Sequence, residues 1–534
     1  HHTAMIDKKV AKHKTNNFGE LFWKSVSLSP DKETVVQGSN SLTFKQLDQQ
    51  ASKVANLVEI AGITKGDKVI LLMTNDYRFV EILFGVIRTG AVATPVNIKL
   101  GPDTLSYIAN HSDAKLIFTD LEMKEKAIAM GNSSDQIQNV YVAGQEKPDA
   151  ISLSYDLSIS DMKDTYRTLE VEVDDPAMMM YTSGSTGKPK GCLLSHENKW
   201  WQARSNSRSL MHVEEDRGLI VGPLYHANAL WGHLLPMLYC GGYSAILPEF
   251  SAGPVVEAIG TYKPTFMSGT PSMYSLMLAE EDLLSKNDVT SIDVLMCGSA
   301  PVPEELMERM QRTFGCEVVE TYGLTEAGAN VLSPRWGVKK IGSCGLPVTD
   351  VEIKIMDKET GSIECDVDEI GELWSRSPAN MIGYYKQPDV TAEKVTDDGY
   401  IKTGDLVSAD DQGYIYFRGR KDDMINCGGE NVYPKEVETI ILEHPSVADV
   451  CVVATSHQVK GEAPVAWVVP KANASLSESD LKKFFFENGP AYAHPRRVFF
   501  TDKLPVNGAN KIDRLLLTGM TEDNIPDGLA GGRD

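Results

Sequence analysis

Short apolar runs alternate with helix-length amphipathic stretches along the first third of the chain. Lys68–Met73 predicts a buried strand, Tyr77–Thr89 predicts a helix, and Ala91–Val96 and Lys115–Thr119 predict two further strands. The middle of the chain repeats the pattern, with predicted strands and helices at Gly218–Gly222, Val294–Met296 and Pro303–Phe314. Strands that alternate with helices indicate βαβ units around parallel or mostly parallel sheets.

The last third of the chain has a different pattern of apolar and polar residues. From about Gly371, short apolar segments separated by glycine turns predict an antiparallel β region. A run of charged residues at 420–423 follows, and then a small α+β unit whose predicted helices and strands are Pro434–Leu442, Ala448–Ala454, Ala463–Val469, Glu478–Glu487 and Arg497–Thr501. The tail beyond Leu517 is predicted to be loose.

Composition restricts the classes of function. The 534 residues are 42% hydrophobic and 24% charged, which is typical of a globular protein, and the net charge is −22. That charge argues against a general nucleic-acid binder and against attachment to anionic lipid. Apolar runs such as Phe79–Ile87 are too short for a membrane span, so no stable membrane insertion is expected. The eight cysteines are scattered without a Cys-x-x-Cys pair, which favours the reducing cytoplasm.

The strongest local signal is the segment Tyr181–Gly191, which reads YTSGSTGKPKG. Glycines let backbone amides approach an anion, hydroxyl groups add donors, and lysines add positive charge, so the composition favours a phosphate-binding loop. It is not a Walker loop, because Pro189 follows Lys188. A flexible surface loop is the alternative. The candidate phosphate ligands are Thr182, Ser183, Gly184, Ser185, Thr186, Gly187, Lys188 and Lys190.

This loop and the motifs that follow it in order resemble the adenylate-forming enzymes: acyl- and aryl-CoA synthetases, adenylation domains of peptide synthetases, and luciferases. The resemblance extends from about residue 20 to about residue 515 and is strongest to AMP-forming acyl-CoA ligases. It implies that a carboxylate attacks the α-phosphate of ATP, and that coenzyme A then displaces AMP from the acyl-adenylate. The implied cofactors are ATP, Mg²⁺ and coenzyme A, and the implied partner is a small carboxylic acid.

The resemblance also implies residue roles around the nucleotide. In the segment Thr321–Glu326, Tyr322 and Gly323 correspond to the adenine contact, Thr325 to an α-phosphate contact and Glu326 to the Mg²⁺ ligand. The small-residue turn that edges the adenine and the acyl tunnel corresponds to Gly298, Ser299 and Ala300, and the ribose contacts correspond to Asp405 and Arg420. Taken alone, each of these motifs is also compatible with an ordinary turn.

Further roles implied by the resemblance concern adenylation, the hinge and the binding of coenzyme A. Lys511 corresponds to the catalytic lysine of adenylation, although Asn510 stands where relatives usually have glycine. Asp422 corresponds to the hinge, and Gly428 and Gly429 to the pantetheine tunnel. The implied fold class is α/β: a large N-terminal domain, residues 6–420, of βαβ-type subdomains plus a β-rich subdomain, and a small mobile α+β C-terminal domain, residues 421–534.

The acid is expected to bind beside His226, which corresponds to a histidine that gates or orients the carboxylate. By the same resemblance, the acyl pocket is lined by Asn228, Gly232, Ala329 and Asn330. Buried amides need hydrogen-bond partners, so two asparagines indicate an acid with a polar group.

Three alternative functions fit the sequence to different degrees. An amide ligase would use the same adenylation and pass the acyl group to an amine, and the segment Val506–Lys511 leaves room for it. A nucleotide-binding protein without catalysis is disfavoured because Glu326, Asp405 and Lys511 are all present. A serine hydrolase is disfavoured by the lack of a G-x-S-x-G motif. The chain is expected to be a monomer or a homodimer.

Overall fold

The computed structural model describes residues 14–182, 188–298, 302–332, 335, 337–507 and 511–531. Its backbone contacts divide the chain into two compact units. The first unit comprises His1–Ile353 and Ser375–Ile401, and the second comprises Lys354–Trp374 and Lys402–Asp534. The predicted domain boundary between residues 420 and 421 stays a prediction.

An eight-stranded, mostly parallel sheet forms one half of the first unit. Its central strands pair in parallel, whereas the hairpin next to the glycine loop and the edge strand beyond it are antiparallel. In spatial order the strands are Gly383–Tyr384, Lys190–Ser195, Pro176–Thr182, Val92–Pro95, Lys68–Leu72, Leu116–Asp120, Asn139–Ala143 and Leu153–Ser154. The predicted strands of the first third are therefore confirmed, with bounds shifted by one or two residues.

A nine-stranded sheet forms the other half. Five of its pairings are parallel, and the antiparallel pairings lie towards its two edges. In spatial order the strands are Leu346–Pro347, Gly328–Leu332, Glu317–Leu324, Val294–Cys297, Phe266–Gly269, Arg217–Ile220, Tyr243–Ile246, Glu33–Gln37 and Asn40–Thr43. Apolar residues from this sheet and from neighbouring helices form a separate core cluster.

Helices cover the sheets of the first unit, and local sequence explains their ends. Thr43 and Gln46 form a capping box, and the side chain of Asp76 accepts from the Arg78 amide at the next helix. The α-helices are Trp23–Leu28, Phe44–Ile60, Tyr77–Arg88, Pro102–His111, Lys124–Asn132, Tyr155–Ser160, His196–Ser209, Ala227–Ala229, Leu235–Cys240, Ala252–Tyr262, Pro271–Leu278, Glu281–Lys286, Glu304–Phe314 and Pro388–Lys394. One 3₁₀ turn spans Phe18–Glu20, and a π-helical turn spans Leu230–Leu234.

The second unit contains most of a small four-stranded sheet and a five-stranded sheet. The first has the order Glu352–Met356, Gly371–Arg376, Ile401–Ala409 and Ile415–Arg420. The second has the order Glu430–Val432, Ile425–Cys427, Gly461–Pro470 and Val447–His457, with Val498–Phe500 paired in parallel to Gly461–Pro470. Its helices are Pro434–Leu442, Glu478–Asn488 and Arg514–Asn524, with 3₁₀ turns at Lys421–Asp423 and Ala491–Ala493.

The expectation of a loose tail beyond Leu517 is wrong for the described residues. The helix Arg514–Asn524 continues through this point, and Leu517 is fully buried. The indole of Trp467 donates to the Thr521 hydroxyl at 2.9 Å, and Leu529 packs into the same core cluster. The burial of these apolar side chains offsets the loss of chain entropy that a free tail would retain.

No helix among the described residues combines the length and the apolar character needed to cross a membrane.

Candidate active site

The glycine loop is anchored by a hairpin of the eight-stranded sheet. Thr182 at the end of one strand faces Lys190 at the start of the next, and the Thr182 hydroxyl lies 3.5 Å from the Lys190 carbonyl oxygen. The candidate ligands Ser183, Gly184, Ser185, Thr186 and Gly187 lie outside the described residues. Lys188, on the far side of the loop, is exposed, and its amine lies 4.6 Å from the ring centre of Tyr107.

Aromatic and charged side chains surround the base of this hairpin. The Tyr181 hydroxyl and His111 Nδ1 are 2.8 Å apart, and the His111 ring stacks on Tyr107. Burial lowers the pKa of His111, nearby Lys386 lowers it further, and Asp113 has a smaller effect in the opposite direction. A neutral imidazole that shares a hydrogen bond with Tyr181 fixes the strand that leads into the glycine loop.

The segment Thr321–Glu326 forms the first strand and the turn of a β-hairpin. The strand Glu317–Leu324 pairs antiparallel with Gly328–Leu332. A side chain at Gly323 would place its Cβ 2.5 Å from the Gly328 carbonyl oxygen, and Gly328 itself has a φ of +72°. Both glycines are therefore required by close backbone approach or by backbone conformation. The tight turn presents Thr325 and Glu326 next to each other.

The Glu326 carboxylate is held by partners from a distant segment. Tyr384 donates its hydroxyl proton to Glu326 Oε2 at 2.8 Å, and the Lys394 amine lies 3.8 Å from the same oxygen. The Met381 amide also donates to the Glu326 carbonyl oxygen at 2.8 Å. Burial and the nearby Glu326 carboxylate raise the pKa of Tyr384, so its hydroxyl stays a donor. Sequence reasoning missed Tyr384, because it lies 58 residues from Glu326 and no local signal links the two residues.

The residues predicted to line one side of the acyl pocket lie where an α-helix changes into a π-helical turn. His226 directly precedes the helix Ala227–Ala229, which passes into the π-helical turn Leu230–Leu234. A Cβ at Gly232 would lie 2.9 Å from the terminal methyl group of Met296, and a Cβ at Gly298 would lie 3.0 Å from Asn228 Nδ2. The structure therefore brings Asn228 together with Gly298, and Gly232 with the strand that precedes Gly298. π-helical turns are frequent at functional sites.

The loop before His226 is fixed by a buried asparagine that sequence reasoning also missed. Asn75 donates to the carbonyl oxygens of Gly222 at 2.7 Å and Leu247 at 3.1 Å, and it accepts from the Leu224 amide at 2.8 Å. An amide side chain that replaces missing backbone pairings stabilises an irregular segment. Asn75 thus sets the chain direction just before His226.

Two residues of the helix His196–Ser209 contact the π-helical turn. Asn206 donates to the Trp231 carbonyl oxygen at 3.0 Å, and the amine of Lys199 lies 3.3 Å from the centre of a Trp231 ring. Ala329 and Asn330, which are predicted for the opposite wall, belong by their backbone to the strand Gly328–Leu332.

The second unit carries the remaining predicted residues. Arg420 Nη1 donates to Asp405 Oδ1 at 2.5 Å, on adjacent antiparallel strands in which the two residues are paired. Asp405 is buried, and the preceding Gly404 has a φ of +73° and donates its amide to Glu372 at 3.0 Å. This geometry holds an aspartate beside an arginine, a pair that can accept from and donate to vicinal hydroxyl groups.

The other predicted positions of the second unit lie on turns. Asp422 is exposed within the 3₁₀ turn Lys421–Asp423. Gly428 and Gly429, with φ of +61° and +90°, form the turn between two short strands. Lys511 is exposed, and its backbone amide lies 3.2 Å from Asn507 Oδ1. Ser299, Ala300 and Asn510 lie outside the described residues.

Comparison with protein families gives two matches. A family model described as AMP-binding enzyme matches residues 22–385, and a model described as AMP-binding enzyme C-terminal domain matches residues 436–511. Together they cover the predicted site residues up to Asn330 and Lys511, whereas Asp405, Arg420, Asp422, Gly428 and Gly429 lie between the two matches.

Individual relatives are similar over nearly their whole length. The chain is 32% identical over 490 residues to 2-succinylbenzoate–CoA ligase of Bacillus licheniformis, which covers 91% of this chain and 96% of the relative. It is 32% identical over 487 residues to feruloyl-CoA synthase of an Amycolatopsis species, with 91% and 95% covered. Among solved structures, ATP-bound MatB from Rhodopseudomonas palustris has a TM-score of 0.88 at 25% identity, with 96% of this chain and 99% of that chain covered.

Proposed function

The chain belongs to the AMP-binding enzyme family, and we infer that it is an AMP-forming acid–CoA ligase with ATP, coenzyme A and a carboxylic acid as its substrates. The similarity to CoA ligases over nine-tenths of the chain carries this conclusion. The hairpin that presents Thr325 and Glu326, with Tyr384 bound to the carboxylate, supports it structurally.

In the first half-reaction, an oxygen of the acid attacks the α-phosphate and pyrophosphate leaves. The glycine loop supplies donors to the phosphates, with Lys188 and Lys190 adding positive charge, and Tyr322 lies against the adenine. Thr325 donates to the α-phosphate, and Lys511 neutralises the charge that develops there. Such a step depends on orientation and charge stabilisation, because the protein forms no covalent bond.

Mg²⁺ is the proposed metal, and Glu326 is its proposed protein ligand. The chemistry fits, because Mg²⁺ prefers hard oxygen donors and often takes one or two carboxylates together with phosphate oxygens and water. Tyr384 donates to Oε2 and fixes the orientation of the carboxylate, and the Glu326 side chain is 12% exposed. When bound, the ion would neutralise phosphate charge. Among the described residues, no cluster of three or more acidic, histidine or cysteine side chains forms a metal site.

In the second half-reaction, the thiol of coenzyme A displaces AMP. We assign Asp405 and Arg420 to the ribose, and Gly428 and Gly429 to the pantetheine arm. We also place a hinge at Asp422, between a large domain over residues 6–420 and a small domain over residues 421–534. The exposed 3₁₀ turn around Asp422 supports this assignment, because a hinge needs few packing contacts.

A cytoplasmic location and a monomeric or homodimeric state stay predictions.

The acid is proposed to carry a polar group. Its carboxylate lies beside His226, and its acyl part lies between the π-helical turn with Asn228 and Gly232 and the strand with Ala329 and Asn330. A Cβ at Gly298 would lie 3.0 Å from Asn228 Nδ2, so Asn228 lies beside the turn that is predicted to edge the acyl tunnel, which supports this assignment. The acids named for the relatives, 2-succinylbenzoate and ferulate, are therefore the first compounds to test.

The test is an ATP–pyrophosphate exchange screen over a library of carboxylic acids, followed by product analysis. Exchange that depends on one class of acid is expected, with acyl-CoA as the product when coenzyme A is added. If no acid in the library supports exchange, the proposal is contradicted. Exchange followed by transfer only to amines would support the amide ligase instead.

A further inference from the structure

Lys199 is a lysine in the interior of the first unit. It belongs to the helix His196–Ser209, and none of its surface is exposed. Its amine donates to Gln202 Oε1 at 2.7 Å and lies 3.3 Å from the centre of a Trp231 ring. Both partners are uncharged, so they stabilise a cation only through an amide dipole and the electrons of the ring.

The described part of the chain provides no carboxylate that pairs with Lys199. Burial lowers the pKa of the lysine well below its ordinary value, and the buried thiol of Cys192 acts on that pKa in the opposite direction. A buried ammonium group without a counter-anion is costly, and native proteins normally pair such a group. An unpaired lysine in this position is therefore unusual for a purely structural residue.

The surroundings of Lys199 connect both walls of the proposed acyl pocket. Trp231 directly precedes Gly232 in the π-helical turn. On the other side, Gln202 lies against Gly328, where a Cβ would be 2.8 Å from Gln202 Nε2, and Gly328 directly precedes Ala329. The indole nitrogen of Trp231 is also buried and has no hydrogen-bond partner among the described residues. The indole donor therefore lacks an acceptor, and the neighbouring amine has a polar acceptor, Gln202, but no anionic one.

We propose that Lys199 determines acid specificity by pairing with a second carboxylate, so that the natural substrate is a dicarboxylic acid. This inference rests on the proposed function. The carboxylate that is activated lies at His226, five positions before Trp231, at the start of the helix that passes into the π-helical turn. The second carboxylate lies near Trp231 and supplies the missing counter-anion of the buried amine.

The first test compares acids of equal size that differ in one distal carboxylate. Suitable pairs are heptanedioate with heptanoate and 2-succinylbenzoate with 3-benzoylpropionate. In acid-dependent pyrophosphate exchange by the wild-type enzyme, at least one diacid is expected to exceed its monoacid partner tenfold or more in kcat/KM. Equal constants, or preference for the monoacid in both pairs, would overturn the proposal.

The second test replaces the amine. In Lys199→Met, the ratio of the diacid to the monoacid constant is expected to fall to near one, with the diacid losing more than the monoacid. Lys286→Met removes an exposed lysine and is the matched control, in which the ratio stays as in wild type. An unchanged ratio in Lys199→Met would overturn the proposal. If that variant fails to fold, the wild-type acid pairs decide the question alone.

The two levels of the proposal fail in different ways. If no acid in a broad library supports exchange, the proposed function is wrong. If monoacids support rapid exchange and diacids give no advantage, the ligase function stands and only the role of Lys199 is wrong.

Discussion

Removing the Tyr384 hydroxyl tests whether Glu326 acts as a metal ligand. In the structure, this hydroxyl donates to Glu326 Oε2 at 2.8 Å on a mostly buried carboxylate. Hydrogen bonds to charged groups contribute about 1.5–3 kcal/mol, which corresponds to roughly 10- to 100-fold in an equilibrium constant. Loss of a side chain that orients a metal ligand typically weakens metal binding or activity by about the same factor.

Tyr384→Phe is therefore expected to raise the Mg²⁺ concentration at half-maximal pyrophosphate exchange by about 10-fold or more. The assay titrates Mg²⁺ at fixed ATP and saturating acid. Tyr385→Phe is the control, because the neighbouring hydroxyl donates to Asp113 at 2.6 Å instead. Its Mg²⁺ dependence should match that of the wild type.

An unchanged Mg²⁺ dependence in Tyr384→Phe, with a lower maximal rate, would refute the reasoning. In that case the tyrosine would support the local fold, and Glu326 would not bind the metal. Thermal unfolding of both variants separates this outcome from a general loss of stability.

Three further perturbations test other parts of the account. Gly323→Ala should destabilise the protein by about 1–3 kcal/mol in urea unfolding, because its Cβ would lie 2.5 Å from the Gly328 carbonyl oxygen. Gly101→Ala is the control, because the new Cβ would lie in open space. Equal destabilisation in both variants would contradict the packing argument. Glu81 is buried, and burial raises its pKa to about 7, so the native state favours the protonated form and stability falls as the pH rises from about 4.5 to 7. In Glu81→Gln, this decline in the free energy of unfolding between pH 4.5 and 7 should be smaller by up to about 3 kcal/mol. If the free energy of unfolding falls equally with pH in the variant and the wild type, Glu81 does not cause the decline. Lys511→Ala should lose most acyl-adenylate formation but keep much thioester formation from a supplied acyl-adenylate, whereas equal loss in both assays would argue against a role confined to the first step.

The sequence predicted the elements whose signal is local. Apolar runs such as Lys68–Met73 and Val294–Met296 became strands of the two large sheets, because a strand buried on both faces needs a continuous apolar stretch. The prediction of a loose tail was wrong because the order of this segment depends on distant contacts. Its polar, glycine-containing end masks isolated apolar residues such as Leu529, and their burial depends on partners elsewhere in the second unit.

The candidate site was predictable only as a set of motifs. The partners that position it lie far away in the chain: Tyr384 is 58 residues from Glu326, and Asn75 is 147 residues from Gly222. The π-helical turn at Leu230–Leu234 could not be predicted from hydrophobic periodicity, because one extra residue per turn leaves no separate compositional signature. The unpaired state of Lys199 likewise depends on what surrounds it after folding.

The most direct test of the central claim follows an oxygen atom. When a carboxylate labelled with ¹⁸O attacks the α-phosphate and the thiol of coenzyme A then displaces AMP, one carboxylate oxygen remains on AMP. Mass spectrometry of the products should therefore find one ¹⁸O atom in AMP, unlabelled pyrophosphate, and acyl-CoA in an amount equal to AMP. Label in orthophosphate together with ADP, or acyl-CoA formed with unlabelled AMP, would contradict an acyl-adenylate intermediate.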